Sequence, residues 1–180
     1  MRELLQAAYL DRERELAEHH SRSLPFQDAL FDRWDRARRL GFGEGASIYN
    51  SAVVLGDVRV GEGTWVGPFC MLDGSGGGLE VGAYCSVAAG VHLYTHDTIA
   101  WALTGGRAKP RQASVRIGDC CYLGSQSVVA AGVVVGSHCV IASNSFVNTP
   151  VPDYTVVGGS PARRLGHVEV DGEDVRLVYE

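Results

Sequence analysis

Branched aliphatic residues recur every six positions through most of the chain. They occupy Ile48, Val54, Val60, Val66 and Leu72, resume after three additional residues at Val81, Val87 and Leu93, and after a longer break run through Ile117, Leu123, Val129, Val135, Ile141 and Val147. All fourteen positions are Ile, Leu or Val. A fixed period held this long is the signature of a repeat architecture. Two more columns keep the same register. The residue after the aliphatic is often glycine, at Gly61, Gly67, Gly82, Gly118, Gly124 and Gly136. The residue four after it is small or β-branched, as at Ala52, Thr64, Cys70, Cys85, Val91, Cys121, Ser127, Cys139 and Val151.

One large and one small inward position per six residues predicts a short strand and a turn in each repeat. Three such units close a triangular coil of 18 residues, and stacked coils form a solenoid of parallel strands. The expected fold is therefore an all-β solenoid over residues 46–165. Four of the five cysteines fall in the small column and read as apolar fillers of tight turns, and Cys120 reads as a surface residue.

The flanks break the period. Residues 2–20 and 24–40 read as helices, making 1–45 an N-terminal helical segment. In the second helix Phe26, Leu30, Trp34 and Ala37 share a face, Ser23 can cap it, Pro25 suits its first turn, and Gly41 and Gly43 stop it. The segment predicts either a cap on the prism or a wall of a binding pocket. Residues 99–116 equal one coil in length, but the register would turn Arg111 into the core, so they read as an excursion loop. Its Arg107, Lys109 and Arg111 can meet an anionic group. The tail, 166–180, alternates weakly and predicts a hairpin around Asp171-Gly172.

Composition narrows the function. A net charge of −5 argues against binding nucleic acid by bulk charge. No run of 18 apolar residues is present, so no membrane span is expected, and the charged N-terminus has no signal-peptide core. A cytoplasmic location with reduced thiols is the expectation.

The candidate chemistry sits at the root of the loop, in Gly90-Val91-His92-Leu93-Tyr94-Thr95-His96-Asp97. A histidine held on a rigid coil beside a long loop has what a general base needs. This run resembles the active-site region of the hexapeptide-repeat acyltransferases, in particular the maltose, galactoside and polysaccharide O-acetyltransferases. The resemblance covers about residues 48–165 and implies a left-handed parallel β-helix, against the usual crossover hand. It implies that His96 removes a proton from an acceptor hydroxyl, which attacks acetyl-CoA directly in a ternary complex without a metal. It also implies a homotrimer, with the loop meeting a neighbouring prism.

Further site residues follow from the same resemblance. The strand Arg116-Ile117-Gly118-Asp119-Cys120-Cys121-Tyr122-Leu123-Gly124-Ser125 matches the family's strand after the loop, where Tyr122 would flank the pantetheine arm. Ser125 and Ser143 match positions that touch CoA. Asn148 and Thr149 stand where relatives often have Thr-Lys, so one phosphate contact is missing there. Gly159-Ser160-Pro161-Ala162-Arg163 matches an element whose cation lies near the nucleotide phosphates, making Arg163 the phosphate candidate and Arg164 its spare. Asp73, Tyr94, Asp97 and Trp101 are the acceptor-side candidates. Asp97 either orients His96 or caps the loop, and Trp101 either lines the pocket or anchors the loop. The acceptor fits a sugar or polysaccharide precursor.

Three other readings share the repeat. An amine acceptor would make an N-acyltransferase with the same base. A γ-class carbonic anhydrase needs three histidines on zinc, yet no His occurs between residues 48 and 91. A non-enzymatic scaffold would not need His96 beside a long loop together with Tyr122 and the Arg163 element.

Overall fold

The computed structural model describes all 180 residues. Its core is a coil of parallel strands, most only two residues long, wound around the aliphatic column. Ser47–Ile48 pairs with Trp65–Val66, and Tyr122–Leu123 with Val140–Ile141, in each case one 18-residue turn apart. The step from Trp65 to Ser86 spans the three extra residues, and the step from Ser86 to Tyr122 spans the excursion.

Three faces result. The first carries Trp65, Ser86, Tyr122 and Val140 outward in one row. The second stacks Val53, Met71, His92, Val128 and Phe146. The third stacks Arg59, Glu80, Arg116 and Val134, which Arg59, Glu80 and Arg116 link through a ladder of exposed ion pairs. The residue after each of these points inward. Ile48, Val66, Leu72, Val87, Leu93, Leu123, Val129 and Ile141 are wholly enclosed. The small column closes the corners around them, with Cys70, Cys85, Cys121 and Cys139 all buried and free. Burial pushes the Cys70 thiol up to about 11, so it stays protonated at neutral pH.

The glycine column marks close approach of one coil to the next. A Cβ on Gly124 would collide with the Ser143 amide nitrogen in the coil above. The left-handed turn residue lies two places further on, and here the chain is indifferent to residue type: Phe69, Tyr84, Cys120, Gln126, His138 and Asn144 all take positive φ. Five of these six residues donate their amide to a backbone carbonyl of a neighbouring coil, such as Tyr84 to Glu62 and His138 to Asp119, and Phe69 donates to the Ser51 hydroxyl. That network outweighs the local cost of the conformation.

Helices cover one end. α1 spans Arg2–His20, α2 spans Phe26–Leu30 and α3 spans Arg33–Arg39. The expected helix over 24–40 is thus two helices. Phe31 is extended, and Asp32 caps α3 by accepting from the Trp34 and Asp35 amides. Ser23 does not cap; its hydroxyl donates to Glu13, and Pro25 is the cap residue of α2. α3 packs on Ser47–Ile48. There Arg36 donates to the carbonyls of Tyr49 and Ala52, the latter at 2.8 Å, and so closes the first corner.

The other end is covered by Thr155–Gly159, which runs parallel to Val140–Ile141 on the first face, and by Ala162–Asp171 and Asp174–Tyr179, which extend that face antiparallel. Gly172 turns the hairpin with φ +60°. The middle strand starts at Ala162, so it runs across residue 165, where a tail separate from the coil was expected. No helix is long and apolar enough to cross a membrane.

Candidate active site

Both insertions into the repeat fall at one corner, between the second and third faces. The first is the glycine-rich stretch 73–78. The second, one coil later, is the excursion after His92–Tyr94. The excursion is less irregular than its sequence suggests. His96–Asp97 pairs antiparallel with Arg111–Gln112, and α4 spans Ile99–Leu103 between them. The coil resumes at Val115–Ile117.

The stacking of the two insertions brings Asp73 under His96. Asp73 is 2% exposed, and its Oδ2 lies 3.0 Å from His96 Nδ1. Its Oδ1 accepts from the Ser75 amide at 2.9 Å and the Ser75 hydroxyl at 2.6 Å. Thr95, wholly buried, ties the two segments together: its amide and hydroxyl both donate to the Asp73 carbonyl, and its hydroxyl accepts from the Gly76 amide at 2.8 Å. Gly76 is required for this approach, because a Cβ there would collide with the Thr95 carbonyl and lie 2.8 Å from the His96 Cβ.

A carboxylate at Nδ1 orients the ring with Nε2 as the unprotonated nitrogen. The His96 side chain is 35% exposed. Neither Ser75 nor Thr95 stands out in the sequence, since a lone Ser among glycines and a lone Thr in a strand carry no periodic signal.

The other acceptor-side candidates have partners of their own. The Tyr94 hydroxyl lies 3.1 Å from His92 Nδ1. Asp97 accepts from the Ile99 amide at the start of α4, and its other oxygen faces Arg111 at 3.9 Å. The position that orients His96 is thus held by Asp73. Trp101 is about half exposed on α4, with its ring near Gly106 of the same loop.

The donor-side candidates lie elsewhere on the coil. Tyr122 is outward on the first face and 45% exposed. Ser125 and Ser143 stack at the next corner, where the Asn144 amide donates to the Ser125 carbonyl. The turn at Gly159 reaches the same corner, since its amide donates to Ser145. Arg163 is exposed and donates only to the Ala162 carbonyl, whereas Arg164 is paired in two-pronged fashion with Glu180. Asn148 and Thr149 are exposed at the corner of His96, two coils on. Within one chain, Tyr122, Ser125, Ser143 and Arg163 therefore do not share an edge with His96. No group of three or more His, Cys, Asp or Glu side chains within the chain is placed to hold a metal ion.

Residues 114–149 match the family described as bacterial transferase hexapeptide (six repeats). Carnitine operon protein CaiE of Escherichia coli (strain K12) is 30% identical over 135 residues, covering 70% of this chain and 67% of CaiE. Gamma carbonic anhydrase 2, mitochondrial, of Arabidopsis thaliana is 29% identical over 140 residues, covering 72% of this chain and about half, 49%, of that protein. Among solved structures, the hexapeptide-repeat acetyltransferase VCA0836 of Vibrio cholerae O1 biovar eltor, complexed with acetyl-CoA, superimposes with a TM-score of 0.59 at 24% identity, over 93% of this chain and 89% of that one.

Proposed function

The chain belongs to the hexapeptide-repeat family of bacterial transferases, and on that premise we propose that it is an acyltransferase that moves the acetyl group of acetyl-CoA to a sugar hydroxyl. The observation that carries this reading is the His96/Asp73 pair: a partly exposed imidazole with one nitrogen 3.0 Å from a buried carboxylate. The neighbours that carry acetyl-CoA support the donor.

In this reading His96 Nε2 takes the proton of the acceptor hydroxyl. The oxygen attacks the thioester carbonyl carbon, the carbon–sulfur bond breaks, and the proton passes to the departing CoA sulfur. Asp73 holds Nδ1–H and stabilises the imidazolium formed on the way. Its two oxygens are taken by Ser75 and His96, so we assign it to positioning rather than to the acceptor. The coil is left-handed and the protein a homotrimer in this reading. A neighbouring copy supplies Tyr122, Ser125, Ser143 and Arg163 to the edge that carries His96. The basic loop residues Arg107, Lys109 and Arg111 then face the acceptor.

The test is CoA release from acetyl-CoA over a panel of sugar acceptors. His96→Ala should lower turnover by about 10²–10⁴-fold, and Asp73→Asn by at least about 10-fold. Both variants should keep the thermal stabilisation by acetyl-CoA, about 2.7 kcal/mol at 100 times the dissociation constant. Wild-type turnover in His96→Ala would remove the base from the mechanism. No stabilisation of folded wild type by acetyl-CoA would remove the donor.

A further inference from the structure

A cavity of about 420 Å3 lies between the N-terminal helices and the first coil, far along the chain from the insertions that build the His96 site. Its size falls within the range of small-molecule sites, and a seam between two structural units is where such sites concentrate. Its charges are unbalanced. Two acids line it. Asp32 is the cap of α3, accepting from the Trp34 and Asp35 amides. Asp28 accepts from the Ser51 amide with one oxygen, its other oxygen is buried without a hydrogen-bond partner, and its charge faces Arg36, whose guanidinium burial holds below its ordinary value. Of the lining cations, Arg12 is paired with Glu15 at 2.6 Å. Arg22 and His20 have no side-chain partner, and Arg33 has no acid at all.

Arg33 is instead fixed by aromatic rings. Its guanidinium carbon sits 4.1 Å from the Trp34 ring centre and 5.3 Å from that of Tyr49, and it donates to the Tyr49 hydroxyl at 3.3 Å. Stacking of this kind holds the fork in place while leaving its positive charge uncompensated. The remaining wall is apolar, with Leu16, Leu24 and Leu30 beside the exposed rings of Phe31 and Trp34.

Two free guanidinium groups above an apolar, ring-lined wall call for an anion joined to a flat ring. We infer that this cavity binds a nucleoside monophosphate, with the phosphate on Arg22 and Arg33 and the base against Phe31 and Trp34. One phosphate matches two forks, and base-on-aromatic stacking supplies the rest. The inference is independent of the acyl-transfer reading, because none of its residues belongs to that site.

Isothermal titration of the whole chain with AMP tests it. Saturable one-to-one binding is expected, unchanged by saturating acetyl-CoA and weakened at least about 10-fold in Arg22→Gln and in Trp34→Ala. The exposed Arg22 side chain makes no hydrogen bond or ion pair in the fold, so its variant keeps native stability and circular dichroism. Inorganic phosphate should bind at least about 10-fold more weakly than AMP; equal affinity would overturn the assignment of the ring. The site itself is overturned by the absence of saturable heat at millimolar AMP, by unchanged affinity in both variants, or by displacement of AMP by acetyl-CoA.

Discussion

Two corners of the coil are built from one repeat and have opposite characters. At the corner between the first and second faces every turn has the same length, and each stacks its backbone on the next so closely that Gly124 tolerates no side chain. At the corner between the second and third faces two insertions, 73–78 and the excursion, lift the chain off that lattice. The regular corner gives rigidity and no room. The irregular one releases amides and carbonyls that side chains then take up: the Thr95 hydroxyl accepts from the Gly76 amide and donates to the Asp73 carbonyl, and the Asp73 carboxylate accepts from the Ser75 amide. The molecule places its candidate chemistry where the repeat fails, on a histidine that the repeat holds still.

That contrast can be broken from the rigid side first. Leu93 is wholly enclosed in the strand that leads into the excursion, and Leu93→Ala should cost about 2–5 kcal/mol, read from denaturant unfolding. A loss below 1 kcal/mol would mean that the coil relaxes around the hole and is not close-packed.

The corner cysteine gives the next largest effect, and it depends on pH. The Cys70 thiol is raised from 9.0 to about 11 by burial. The folded state therefore holds its proton after the unfolded chain has lost it. The stability this thiol contributes is complete below pH 9 and drains away as pH rises toward 11, by up to about 2–3 kcal/mol. The stability difference between wild type and Cys70→Ala should shrink over that window, and a difference flat in pH would show the thiol to be solvated.

At the irregular corner, Gly76→Ala should cost about 1–3 kcal/mol and lower turnover, because the new methyl displaces the Thr95 carbonyl and the His96 Cβ. Unchanged turnover would show that the His96/Asp73 geometry tolerates movement. The smallest effect belongs to the exposed Arg164/Glu180 pair. Arg164→Ala should change stability by less than about 0.5 kcal/mol. It should leave the affinity for acetyl-CoA unaltered, whereas Arg163→Ala should weaken it.

Much of this was legible in the chain. The column from Ile48 to Val147 reads directly as a row of enclosed residues, because a side chain must point inward once per strand and the period records it. His96 stood out by its place at the root of a long break. The helix break at Asp32 was written locally, in a cap residue followed by Asp35, but the apolar face from Phe26 to Ala37 masked it. The role of Asp97 stayed open in the sequence between orienting His96 and capping the loop. In the structure Asp73 stands at the His96 nitrogen, and Asp97 accepts from the Ile99 amide.

The sequence by itself determined the coil. Six-residue periodicity is a local steric demand repeated, and each repeat states it again. Only the tertiary structure decided which carboxylate meets His96. Asp73 is 23 positions earlier, and the two residues come together because the insertions stack at one corner with Thr95 bridging them. A contact between two departures from a repeat depends on the register in which the coils stack, and the period, which measures only what the repeats share, carries no record of it.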